Sequence, residues 1–279
     1  MVPRLLPLLL VAACASKGGE GVRGQGEEEV VLPAAPAGDA WETARKAPWK
    51  EILEDLAKAD VAYVSGDRAM ELAVLDYLFR RGRLHAIALD TFPRTAQKEL
   101  EEFSFARIDE AELAKTCAIA DADRPVLAFA RERRIPILGL RLEQEIRDGI
   151  RKKGPDGFPL LMDGLSEAQR LSLPALPSAT HFEGPNNDPF LSLERKLELA
   201  VAADVVVGWY RDMAPEGAQV AVLAATASVA PREGLPDVLF ARNGKTYRTL
   251  VALDEAVGKS DSSVFAKSYA DYVWFLPAK

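Results

Sequence analysis

Cysteine and histidine are scarce in this chain, with two of each in 279 residues. A disulfide framework is excluded beyond a single bridge. A hydrolytic centre of the zinc or manganese type lacks the imidazole and thiolate donors it needs. Positive charge is also short: 35 Lys and Arg stand against 42 Asp and Glu, a net charge of −7. That balance argues against nucleic acid as a partner, which needs a basic face. Long apolar runs are missing too, since no internal stretch approaches the roughly 18 residues of a membrane-spanning helix. What is present suits a globular core, at 48% hydrophobic and 28% charged residues, in a chain long enough for one substantial domain with tails.

The N-terminus departs from that composition. "MVPRLLPLLLVAACAS" has one positive charge, Arg4, then a short apolar run from Leu5 to Ala13, then Cys14. That is the layout of an export signal, too short to span as a helix. Val11-Ala12-Ala13-Cys14 looks like a bacterial lipobox, in which the Cys is lipidated and becomes the first residue. The expected division is a signal at residues 1–13, a flexible tether at 14–40 rich in Gly, Glu, Pro and Ala, and one domain over 41–279. Acyl chains on Cys14 would anchor the protein to a membrane and leave Cys117 without an intramolecular partner. In a Gram-negative host, Ala15 and Ser16, with no Asp after Cys14, fit the outer membrane.

The domain reads as alternating strand and helix. "VAYVS" (Val61–Ser65), "LHAIALD" (Leu84–Asp90), "IPILGL" (Ile135–Leu140) and "AQVAVLAA" (Ala218–Ala225) are β-rich and apolar. Between them lie helical patterns over Ala69–Arg81, Ala96–Phe103, Asp109–Cys117 and Arg124–Arg134, with a further one in "EQEIRDGIRKK". Residues 154–190 read as a Pro-, Gly- and Asn-rich excursion with a helical patch near Ser166–Leu173. Leu191–Arg211 reads as one long, largely buried helix. The expectation is an α/β domain with a mainly parallel sheet, helices on both faces, and antiparallel edge strands made by the C-terminal "YRTLVAL" and "DYVWFLP".

Five of these stretches together resemble the ChaN-like lipoproteins, the haem-binding-uptake branch of the superfamily that includes Tiki proteases and erythromycin esterases. They are "DVAYVSGDRAMELAVLDYL", "ALDTFPRTAQKELEEF", "RPVLAFARERRIPILGLRLEQEIRDGI", "AQVAVLAATASVAPREGLPDVL" and "DYVWFLP", in the family's order. The Phe92-Pro93-Arg94 turn and the block around Arg124–Leu140 are the most specific. The family's site implies Gly-Glu-x-His after the first strand, Glu at the end of the second and Gly-x-Gly-His after the fourth, converging at the carboxyl edge of the sheet. This chain has Gly66-Asp67-Arg68-Ala69, Asp90 and Ala225-Thr226-Ala227-Ser228 instead. Both motif histidines are replaced, at Ala69 and at Ser228.

The remaining residues leave several roles open. Asp67, after Gly66 and ahead of a helix, suits an N-cap as well as a ligand. Arg68 and Arg94 are expected to pair with Asp67 and Asp90, an internal ion cluster where relatives would hold a metal; no divalent metal is expected. The resemblance implies haem, with Tyr and His as iron ligands, for which His181 and Tyr210 are the candidates; His85 reads as structural. The function expected is a non-enzymatic, lipid-anchored envelope protein for haem or iron uptake, with a homodimer or another envelope protein as further partners. The alternatives are a pseudo-enzyme scaffold, and a hydrolase rebuilt from Asp67, Asp90 and Ser228, for which neither His is placed as a base.

Overall fold

The computed structural model describes residues 32–42, 45–144, 146–148, 189–229, 234–256 and 270–277. Their sheet has eight strands in the order β2-β1-β8-β7-β3-β6-β4-β5. In chain order these are β1 (Asp39–Glu42), β2 (Arg45–Lys46), β3 (Val61–Ser65), β4 (Leu84–Pro93), β5 (Ile137–Arg141), β6 (Gln219–Leu223), β7 (Tyr247–Asp254) and β8 (Tyr272–Leu276). The helices are α1 (Trp49–Leu56), α2 (Arg68–Arg80), α3 (Gln97–Ser104), α4 (Glu110–Thr116), α5 (Arg124–Arg133), α6 (Pro189–Asp212), α7 (Thr226–Val229) and α8 (Leu235–Asn243).

The six strands from β8 to β5 all run parallel to one another. Every residue of β3 and of β6 is buried, which is why their sequences run apolar without alternation. One face, with Val61, Tyr63, Ala86, Ala88, Val220 and Val222, packs against Leu199, Ala202, Ala203 and Val206 of α6 and Leu239 of α8. The other face meets α1, α2 and α3. α6 is one long helix, largely buried between Leu197 and Trp209, as the apolar run there implies.

Two expectations are corrected. The antiparallel strands are β1 and β2, at the N-terminal side, where β1 pairs with β8 and β2 with β1; β7 and β8 run parallel to the rest. The spacers after β6 and β7 are long enough for a return crossover, which a parallel strand requires. The tether also ends sooner than position 40. Asp39 and Ala40 pair with Phe275 and Trp274, and the Trp274 indole donates to the Ala37 carbonyl at 3.1 Å. The helical patch near Ser166–Leu173 lies outside the described residues. Cys117 is buried and free. Among the described residues no helix is long and apolar enough to cross a membrane.

Candidate functional site

β6 lies between β3 and β4, and its register sets Val64, Leu223 and Leu89 side by side. The chain leaves β3 through α2 on one face and leaves β6 through α7 and α8 on the other. A crevice therefore opens outside the carboxyl ends of these strands, where α/β folds place ligands. Gly66 to Ala69, Asp90, and Ala225 to Ser228 all come to this edge.

Each local conformation has a cause. Gly66 has φ +130°, and a Cβ there would lie 2.4 Å from the Cβ of Ala252, so glycine alone fits between β3 and β7. Asp67 caps α2, its Oδ1 accepting from the N–H of Ala69 at 2.7 Å and of Met70 at 3.2 Å. β4 runs three residues beyond its expected end at Asp90, with a shift of register against β5 between Leu89 and Pro93. Gly139 makes room for this, because a Cβ there would meet the Pro93 carbonyl at 2.5 Å. Such a bulge beside a site re-aims side chains. Asp90 Oδ2 accepts from the N–H of Ala225 at 2.6 Å, and the Ser65 and Thr226 hydroxyls lie 2.8 Å apart. These contacts tie β3, β4 and β6 together at the level of the crevice.

The ion cluster forms with partners other than those expected. Arg68 pairs with Glu71 and with Asp123, while Arg94 donates to Glu143 Oε1 through Nε at 3.1 Å and Nη2 at 2.7 Å. Glu71 and Asp123 are 3% and 1% exposed, so Arg68 neutralises carboxylates that water scarcely reaches. Burial pushes the Glu71 carboxyl up to about 7, against the pull of Arg68 and of the Gly66 N–H; the charge of Asp90 pushes it further up. Burial also raises Asp90, opposed by the Ala225 N–H, Arg68 and Arg195.

Beside Asp90 a cavity of about 230 Å³ is lined by Arg147, Arg195, Glu198, Ser228 and the end of β5, with Leu199 and Ala202 as apolar wall. Arg147 and Arg195 reach Glu198 at 3.5 and 3.4 Å. This volume is below the several hundred cubic ångströms of drug-sized pockets. Its chemistry suits one small charged group presented to guanidinium and carboxylate together. Ser228 is buried in this wall, yet no histidine, tyrosine, cysteine or methionine lines the cavity among the described residues.

The other candidates lie elsewhere. Tyr210, at the far end of α6, donates to the Asp60 carbonyl at 2.6 Å, just before β3 begins. It stands at the amino edge of the sheet, away from the crevice, and burial with Asp60 nearby raises its hydroxyl pKa. His85 Nδ1 sits 2.6 Å from the Arg83 carbonyl, a local contact early in β4. His181 and Cys14 lie outside the described residues. The sequence reading missed Glu71, Asp123, Glu143, Arg147, Arg195 and Glu198. Glu71 left a trace, as a carboxylate beside Met70 on the apolar side of α2; Asp123 left none, being 55 positions from its partner Arg68.

A family model described as haem-binding uptake, Tiki superfamily, ChaN, matches residues 52–194. No curated protein matches the chain. Among solved structures, ChaN of Campylobacter jejuni, described with cofacial haem binding, superposes with a TM-score of 0.55 at 14% identity, covering 85% of this chain and 96% of that one. An erythromycin esterase, EreC, in its open conformation gives a TM-score of 0.46 at 15% identity, covering 73% of this chain and 72% of that one.

Proposed function

The chain belongs to the ChaN family of haem-binding-uptake proteins in the Tiki superfamily, and from that premise we propose a lipid-anchored, non-enzymatic envelope protein that binds haem. The anchor is the lipidated Cys14, and an outer-membrane address follows from the residues after it. The observation that carries the non-enzymatic reading is Arg68. A guanidinium held between Glu71 and Asp123 occupies the crevice with a fixed cation, at the turn where the resemblance implies a metal-ligating His.

The described residues fit haem only in part. The cavity offers guanidinium groups to a carboxylate arm, and it is too small for a macrocycle. It contributes no axial ligand, and Tyr210 is committed to a backbone carbonyl at the other edge. Iron ligation therefore falls to His181 in this reading.

Titrating the purified chain with hemin tests it. A saturable Soret band is expected, lost in His181→Ala and retained in Tyr210→Phe. No Soret shift in the parent chain would sink the haem reading and leave the scaffold. A hydrolase remains the second reading because Asp90 and Ser228 share one cavity wall. A serine nucleophile needs a base, and labelling of Ser228 by a fluorophosphonate would establish that one acts on it.

A further inference from the structure

Charge of a different kind collects at the opposite, amino edge of the sheet. The ends of α2, α3 and α5 lie side by side there, next to β4 and β5. Arg80 closes α2 just ahead of β4, Arg133 closes α5 just ahead of β5, and at the end of α3 the Ser104 hydroxyl accepts from the Ile137 N–H at 3.2 Å. Around these ends stand Arg80, Arg81, Arg107, Arg131, Arg133 and Arg134, of which Arg80, Arg81, Arg107 and Arg134 are exposed.

Three of these arginines, Arg107, Arg131 and Arg133, lie over aromatic rings. The Arg133 guanidinium is 4.1 Å from the Phe129 ring centre and 5.4 Å from that of Phe79; Arg131 is 5.0 Å from Phe103, and Arg107 is 5.6 Å from Phe105. Phe79 and Phe105 are each 37% exposed. Asp76 pairs with Arg80 and Arg133, Glu132 with Arg133, and Glu102 with Arg107. Arg81, Arg131 and Arg134 make no ion pair among the described residues.

A cation in the last turn of a helix offsets the helix dipole, which accounts for Arg80, Arg131 and Arg133. It does not account for Arg81 and Arg134, which lie past the last turn, or for the exposed rings. Arg134 is held at φ 54° in the left-handed position after α5, where glycine is the unstrained choice. A guanidinium stands there in its place.

We propose that this face docks on an anionic lipid bilayer. In a chain of net charge −7 it is a local concentration of cations. Guanidinium groups match lipid phosphates in a two-pronged geometry, and exposed rings among them suit the boundary between headgroup and acyl chain. Docked this way, the domain turns the carboxyl-edge crevice away from the bilayer, open to whatever delivers or collects its ligand. The proposal stands on the amino-edge residues alone and is independent of the anchor at Cys14.

The test is vesicle flotation of the full chain carrying Cys14→Ser, with phosphatidylcholine vesicles and with vesicles that also contain phosphatidylglycerol. The expected result is binding that depends on phosphatidylglycerol and is lost as salt rises. Arg81→Gln with Arg134→Gln lowers that binding about thirtyfold, at about one unit of headgroup attraction per arginine. Charge reversal at both positions abolishes it. Both side chains are exposed, so thermal melting of the variants should match the parent and certify the fold. Equal flotation with both lipid compositions, or a neutral double variant that floats like the parent, overturns the proposal. Binding to polyglutamate by a chain indifferent to phosphatidylglycerol also overturns it and assigns the face to an acidic protein.

Discussion

The two edges of the sheet use arginine in opposite ways. At the carboxyl edge Arg68 and Arg94 are sunk among carboxylates, with partners that are 1 to 7% exposed. At the amino edge Arg81 and Arg134 stand in solvent, on helix ends that also carry the part-exposed rings of Phe79 and Phe105. A buried pair adds little net stability over an apolar substitute but is costly to break, so the carboxyl edge is held in one arrangement. An exposed cation adds little to folding and remains available to a partner. The difference separates a site rigidified from within from a face directed outward.

The largest expected effect tests the rigid half of that comparison. Arg68→Ala leaves Glu71 and Asp123 buried without their shared cation, and loss of one partner of a buried pair costs about 3–5 kcal/mol. Urea unfolding near neutral pH should show a lower midpoint. A midpoint equal to that of the parent chain would mean the cluster is solvated in solution, and the contrast between the edges would fail.

The next effect, of about 3 kcal/mol, is read by pH. The Glu71 carboxyl is raised from 4.5 to about 7 in the folded protein, so the folded state holds its proton more tightly than the unfolded one. The stability this contributes is fully present below about 4.5 and is lost as pH rises through about 7. Glu71→Gln mimics the protonated group and should remove the dependence. The free-energy difference between parent and variant, followed by unfolding across that pH window, should therefore change by about 3 kcal/mol. A flat difference would show Glu71 to be ionised throughout and Arg68 sufficient to hold it so.

How far the sequence reaches follows the same division. The parallel core was legible because β3 and β6 are buried on both faces and read as unbroken apolar runs. The long helix α6 was legible through its apolar run between Leu197 and Trp209. The edge was misread because pairing direction depends on connections, and "YRTLVAL" carries no mark of the strand it lies beside. Within the site, Gly66 and Asp67 were legible through local turn chemistry, and Asp90 through the resemblance to the ChaN family. Asp123 and Glu143 were not, since an ion pair between distant elements depends on how helices dock. Asp123 sits directly before α5 in an N-cap position, yet its side chain makes no cap bond and reaches Arg68 instead.

Asp67 has the smallest expected effect and gives the sharpest division between cap and cluster. Its oxygen accepts from two N–H groups of the first turn of α2, a role that asparagine fills as well as aspartate. Asp67→Ala should cost about 1 kcal/mol, and Asp67→Asn should restore nearly all of it at any pH above the carboxylate range. A member of the ion cluster would behave otherwise: the amide would not replace the charge, and the Asn variant would melt like the Ala variant. Thermal melting of the two variants side by side therefore decides whether Arg68 answers to Glu71 and Asp123 alone. Restoration by asparagine keeps the boundary of the buried network at Arg68, the first residue of α2, and gives the carboxylate of the turn after β3 a structural role.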